Sequence, residues 1–223
     1  MELKTSQIKI EPFERFAKFI IDRENVRIRR KTHEVGPWTK NKILQGYHFT
    51  NVRREDDKVS QYLFNVWYPG IKRDSNVHLD SNAHLWGAIM IARFINSPES
   101  LDVIMEDIKA RNYTTAKDKL AVMMSEGKTV FRSAYLQPEI KGFTRLEKIF
   151  EVLLPKIIKA DIPISSLKAA VEKICSIKYF GEFMAGQIVM DAMYLIDSAD
   201  EPNSWADCFT YAPIGPGSVR GLN

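Results

Sequence analysis

Cysteine is scarce in this chain: two residues in 223, Cys175 and Cys208, both in apolar or aromatic surroundings. Two thiols make neither a disulfide framework nor a zinc cluster, so a reducing compartment is the default. Long hydrophobic runs are missing too. No stretch approaches the roughly 18 apolar residues of a membrane helix, and the opening MELKTSQIKIEPF has no leader-like apolar core, so a cytoplasmic location without membrane attachment is expected. The four histidines, His33, His48, His78 and His84, show no metal-ligand spacing, although His78, Asp80 and His84 share one segment. Surface or structural roles suit them better than a metal site. No glycine-rich loop ends in the GK[ST] of an ATP-binding P-loop, and no G-x-S-x-G or Cys–His pairing marks a nucleophile. Internal repeats and low-complexity tracts are absent.

What is present is ordinary for a globular protein: 45% hydrophobic and 27% charged residues, with a net charge of +4. A mild basic excess is compatible with a polyanionic partner and does not by itself demand one. Helical spacing dominates. Residues 11–24 place Phe13, Phe16, Ala17, Ile20 and Ile21 on one face, after Pro12 in the first turn. The stretch NVRIRRKTHEVG (25–36) then reads as basic and polar. Helices are expected from about Lys42 into Asn51 and from about Glu55 to Trp67, with a loop over PGIKRDSNVHLDSN (69–82). A core helix over 82–96 would turn Leu85, Ile89, Ala92 and Phe94 inward. SPESLDVIMEDIKARN has a Ser cap, a proline in the first turn and early acids; TAKDKLAVMMSEG is a further helix stopped by Gly127. Helices over 143–160 and 164–176 precede a final hairpin. Strand-like patterns are confined to TVFRSAYL (129–136) and KVSQYLF (58–64). The expectation is an all-α fold of roughly nine or ten helices. It forms one helical domain over 1–223, with two lobes at about 11–110 and 111–223.

Three stretches carry candidate chemistry. In KICSIKYFGEFMAGQIVMDAMYL (173–195), Gly181 separates two helical runs, at 166–177 and 183–195. A glycine there permits a left-handed backbone and close approach, and the following helix start offers N–H groups to a phosphate. Lys178 adds charge, and Gln187 and Asp191 follow on the second helix. The competing reading is a plain helical hairpin with a glycine cap. In PWTKNKILQGYHFTNVRREDD (37–57), Trp38, Tyr47, Asn51, Arg53, Arg54 and Glu55 crowd a helix junction. Arginine forks suit phosphates, and carboxylates serve as bases. Local salt bridges on a solvated face are the usual fate of such a run. In IGPGSVRGL (214–222), Gly215, Gly217 and Arg220 suit backbone approach to a phosphate, or simply a flexible tail.

The hairpin sequence Lys178-Tyr179-Phe180-Gly181-Glu182-Phe183-Met184-Ala185 resembles a degenerate helix-hairpin-helix of the DNA-glycosylase kind. Tyr179 replaces the first glycine, and Phe183 stands where bifunctional glycosylases carry a lyase lysine. Taken in order, PWT-x-x-x-ILQ-x-Y-x-F-x-NV-x-RE, G-x-F-x-A-x-Q-x-x-x-D-x-x-Y and GPG-x-x-RGL resemble the α-glutamyl/putrescinyl-thymine pyrophosphorylases of bacteriophages. These amino acid:DNA transferases are related to the helical domain of 5-hydroxymethyluracil DNA kinases and have a glycosylase-like helical fold. The resemblance runs from about residue 11 to the end. It implies thymine hypermodification in the host cytoplasm: the amine of an amino acid or polyamine displaces pyrophosphate from pyrophosphorylated 5-hydroxymethyluracil in double-stranded DNA. On that reading Arg54, Glu55, Asp191 and Asn51 are the catalytic candidates. Arg53, Gln187, Tyr47 and Trp38 would bind substrate. Lys178, Phe180, Gly181, Gly215, Gly217 and Arg220 would hold DNA. Pyrophosphate would tolerate magnesium or arginine equally, so no cofactor is fixed. A monofunctional glycosylase, with Asp191, Asp200 or Glu201 as its acid, and a non-catalytic DNA-binding module are the alternatives.

Overall fold

The computed structural model describes residues 10–73, 81–132, 137–196 and 205–213. The expected phosphate loop with Gly215, Gly217 and Arg220, and the acids Asp200 and Glu201, lie outside the described residues. Among the described residues there are nine helices and no strand. They are α1 (Ile10–Lys31), α2 (Lys42–Gly46), α3 (58–73), α4 (Ser81–Ile95), α5 (Pro98–Lys109), α6 (Tyr113–Ser125), α7 (145–159), α8 (Leu167–Ser176) and α9 (Glu182–Ile196). The strand-like KVSQYLF lies within α3, and residues 129–132 are irregular.

Several boundaries differ from the sequence expectation for physical reasons. The basic run after residue 24 does not end α1, which continues to Lys31. Its cations find acids: Glu24 takes Arg27 one turn on, and Lys31 reaches Asp56. Conversely, α2 ends at Gly46 instead of running to Asn51. The third helix passes through Pro69, which was expected to stop it, and continues to Arg73. A proline inside a helix removes one N–H and crowds the carbonyl four residues earlier. Here the turn before it, Leu63–Trp67, is a wide π turn that accommodates the misfit. The same device recurs in α7, where a π turn at Lys148–Leu153 precedes Pro155.

The chain divides into two compact units, Met1–Ser60 and Gln61–Asn223. The second has an apolar core built on α4. Trp86, Ile89, Met90, Ile91, Phe94 and Ile95 of that helix are all buried. The last segment of α7 packs on it, and so does α9. Gly87 lets α7 come close: a Cβ there would lie 2.9 Å from Leu154 Cδ1. Ser97 caps α5 by accepting from the Ser100 N–H, with Pro98 in the first turn, as its sequence indicates. Gly127 follows α6 in a left-handed conformation, φ +74°, which is the expected stop.

Candidate functional site

In the first unit, residues 32–57 fold back along α1 through polar contacts. Trp38 donates its indole N–H to the Glu34 carbonyl at 2.7 Å, and Arg29 donates to the Trp38 carbonyl at 2.8 Å. The Arg30 guanidinium lies over the Trp38 ring, 4.6 Å from its centroid. Gly36–Pro37 is a cis peptide bond. The Asn41 side chain caps α2 through the Ile43 and Leu44 N–H groups, and Gln45 donates to the Thr39 carbonyl at 2.5 Å. The PWT-x-x-x-ILQ pattern thus encodes a self-bonded loop. Trp38 is a fixed part of that loop, whereas Tyr47 is exposed.

The RREDD run divides its labour. Arg53 binds Glu24 at 2.9 Å. Asp56 is held by Lys31 at 2.6 Å and by Arg27 at 3.5 Å. Asp57 accepts from the Ser60 N–H at the start of α3. Arg53, Asp56 and Asp57 therefore anchor the segment, as a local salt-bridge reading anticipates. Between the anchors, a single 3₁₀ turn (Arg54–Asp56) carries half-buried Arg54 and exposed Glu55; Asn51, also exposed, lies three residues before Arg54. The Arg27 guanidinium, with help from Arg53, holds the Glu24 carboxyl down at about 2 against its partial desolvation. Lys31 and Arg27 likewise lower Asp56.

In the second unit, α8 and α9 form the expected hairpin. The left-handed residue is Tyr179, φ +86°, and Gly181 does not carry the positive φ. Tyr179 therefore takes a glycine-like backbone in the turn between α8 and α9. Gly181 is exposed, with open space where a Cβ would project, and Lys178 is exposed with its ammonium 5.1 Å from the Tyr179 ring centroid. Phe180 turns inward instead of toward solvent and meets Phe94 edge-on at 6.3 Å. Gln187 is half-buried on α9.

Asp191 is fully buried. Arg93 of α4 binds it with two nitrogens, Nε to Oδ2 and Nη2 to Oδ1, the latter at 2.7 Å. The Tyr68 hydroxyl donates to Oδ2 at 2.5 Å. Sequence reasoning about Asp191 missed both partners. The available signal was Arg93 itself, one cation inside the apolar run LWGAIMIARFI. Such an arginine calls for a buried carboxylate.

A second omission is Asp207, which accepts from the Leu167 and Lys168 N–H groups at 2.7 and 3.0 Å and from the Ser166 hydroxyl at 2.9 Å. Although partial burial opposes charge on this carboxyl, those three donors lower it. The contact fixes the 205–213 segment on the start of α8, with Trp205 buried beside it in sequence.

Among the described residues no three His, Cys, Asp or Glu side chains are grouped to hold a metal ion. No described helix is long and apolar enough to cross a membrane. Charge is unevenly shared: Met1–Ser60 holds 14 Lys and Arg against 9 Asp and Glu, whereas Gln61–Asn223 holds 18 against 19.

These features define an all-helical domain with a basic, polar-bonded N-terminal unit and a second unit tied by a buried Arg–Asp pair. The chain belongs to the family of 5-hmdU DNA kinase helical domains, whose model matches residues 11–223. It is 26% identical over 227 residues to a 5-hmdU DNA kinase of Bacillus phage SP10; the match covers 91% of this chain and 34% of that protein. The chain thus spans about one third of the length of the curated relative it matches. No solved structure matches it.

Proposed function

We propose that the chain is a transferase of phage thymine hypermodification, placing the amine of an amino acid or polyamine on the C5 methylene of pyrophosphorylated 5-hydroxymethyluracil in DNA. The observation that carries the reading is membership, over residues 11–223, in the helical-domain family of the 5-hmdU DNA kinases. The basic excess of Met1–Ser60 supports a polyanionic substrate. In this reaction the C–N bond forms as the C–O bond to pyrophosphate breaks, and the amine gives up one proton. Glu55, an exposed carboxylate, accepts that proton. Arg54 stabilises the departing pyrophosphate. Asn51 orients the nucleophile. Arg53 steadies the turn through Glu24, and Trp38 shapes the adjoining loop. Tyr47 contacts substrate, and Lys178 and Gly181 contact a DNA strand without reading its sequence. Asp191 has a supporting role: its carboxylate is enclosed by Arg93 and Tyr68. The modified base is reached either outside the stack or through the major groove, where its C5 substituent projects.

The test is mass spectrometry of nucleosides after incubating the chain with pyrophosphorylated hydroxymethyluracil DNA and a mixture of amines. Aminomethyl-linked thymine supports the reading, with loss of product in Glu55→Gln. Unchanged nucleosides refute it. A second reading, a DNA-holding module without chemistry of its own, is favoured by the burial of Asp191. It expects Glu55→Gln to leave DNA affinity and every other function intact.

A further inference from the structure

Arg15, Lys18, Phe19 and Asp22 recur along α1 at the spacing of one helix face, and together with the 39–41 loop they line a cavity of about 440 Å³. Lys40 completes the lining from the loop side. We infer that this cavity is a phosphate-binding site. The site stands on its own lining, whichever reaction the chain performs.

Three cations face one carboxylate there, leaving an excess of positive charge in a space of small-ligand size. Arg15 gives one nitrogen to Glu11, and the guanidinium has further donors. Lys18 and Lys40 are exposed, so their ammonium groups are hydrated and able to exchange water for anionic oxygens. Phe19 forms an apolar wall, held edge-on against Phe49 at 5.5 Å. The opposite wall is preformed. The Asn41 N–H donates to the Thr39 hydroxyl at 3.0 Å, and the Thr39 carbonyl accepts from Gln45. The loop carrying Lys40 thus needs little ordering when an anion arrives. Compact, multiply charged oxyanions suit this lining. They reach it as phosphodiesters of a DNA strand or as a free or leaving phosphate or pyrophosphate.

Calorimetric titration of the full chain separates the sources. The probes are sodium phosphate, sodium pyrophosphate and, in a second arm, a short unmodified duplex at several salt concentrations. In Lys18→Gln/Lys40→Gln, binding of at least one probe class should fall about tenfold or more. If phosphodiesters are the source, duplex affinity falls and the slope of log K against log salt shrinks by about two. If free phosphates are the source, pyrophosphate binding falls while duplex binding is unchanged. Asp22→Asn should do the reverse and tighten the same probe several-fold, which keeps the test decisive if the lysine variant folds poorly. Lack of binding to wild type, or equal binding by all three proteins, overturns the inference. Neither arm uses amine transfer, so failure of that reaction and failure of this site are separately visible.

Discussion

Between Glu11 and Lys58 not one side chain is fully buried, and Phe13, Phe16, Ile20 and Tyr47 are exposed. From Gln61 onward Leu63, Trp67, Ile89, Phe94, Leu120, Ile149, Ile188 and Trp205 are sealed from solvent or nearly so. The first unit takes its shape from ion pairs, caps and arginines over rings; the second takes it from apolar burial around α4. The lesson concerns sensitivity. Contacts between exposed charges weaken with salt and pH, whereas an apolar core responds mainly to changes of volume and to stranded charge.

The sharpest test of this contrast is the buried Arg93–Asp191 pair in the apolar unit. Asp191→Ala leaves Arg93 buried without its carboxylate, and should destabilise the second unit by about 3–5 kcal/mol. Thermal unfolding of the purified chain measures this. Asp191→Leu with Arg93→Met should recover most of the loss, because the pair is then replaced by apolar volume. Equal instability of the single and double variants would break the comparison.

A smaller effect is expected at Asp207. Removing the three-donor cap in Asp207→Ala should cost about 1–2 kcal/mol, read from chemical denaturation. It should also raise hydrogen exchange at Leu167 and Lys168, whose N–H groups lose their acceptor.

The mildest effect belongs to the first unit and should be local. Glu24 has a folded value near 2, against 4.5 for an unperturbed group. A carboxylate depressed on folding contributes stability that is complete above about 4.5 and is lost as the pH falls through about 2. The Arg27 Nε–H resonance, whose acceptor is Glu24, should therefore shift over that acid range, and again at 1 M salt, where the screening length falls to about 3 Å. Core resonances of α4 should stay in place under added salt.

Much of the all-α class was legible in local signals. Ser97, Pro98 and Gly127 mark helix ends because capping is settled within a few residues, and apolar spacing in 82–96 marked the core helix. Pro69 misled because a proline's usual effect as a stop is cancelled by a wide turn, and nothing local announces that turn. Asp191 was legible as a singular acid in an apolar helix, but its partners lie 98 and 123 residues away in sequence. The hairpin was legible in outline. Its left-handed residue was not, since tyrosine at φ +86° runs against the steric preference of any side chain.

The wide turns ahead of Pro69 and Pro155 have a further consequence. Each lodges an extra residue in a helix that otherwise advances about 100° per residue, so all that follows is rotated relative to an unbroken helix. Tyr68 is the first residue beyond one of them, and its hydroxyl meets Asp191 in that rotated setting. The phase of the helix, as much as the identity of residue 68, delivers a hydroxyl to a carboxylate more than a hundred residues downstream.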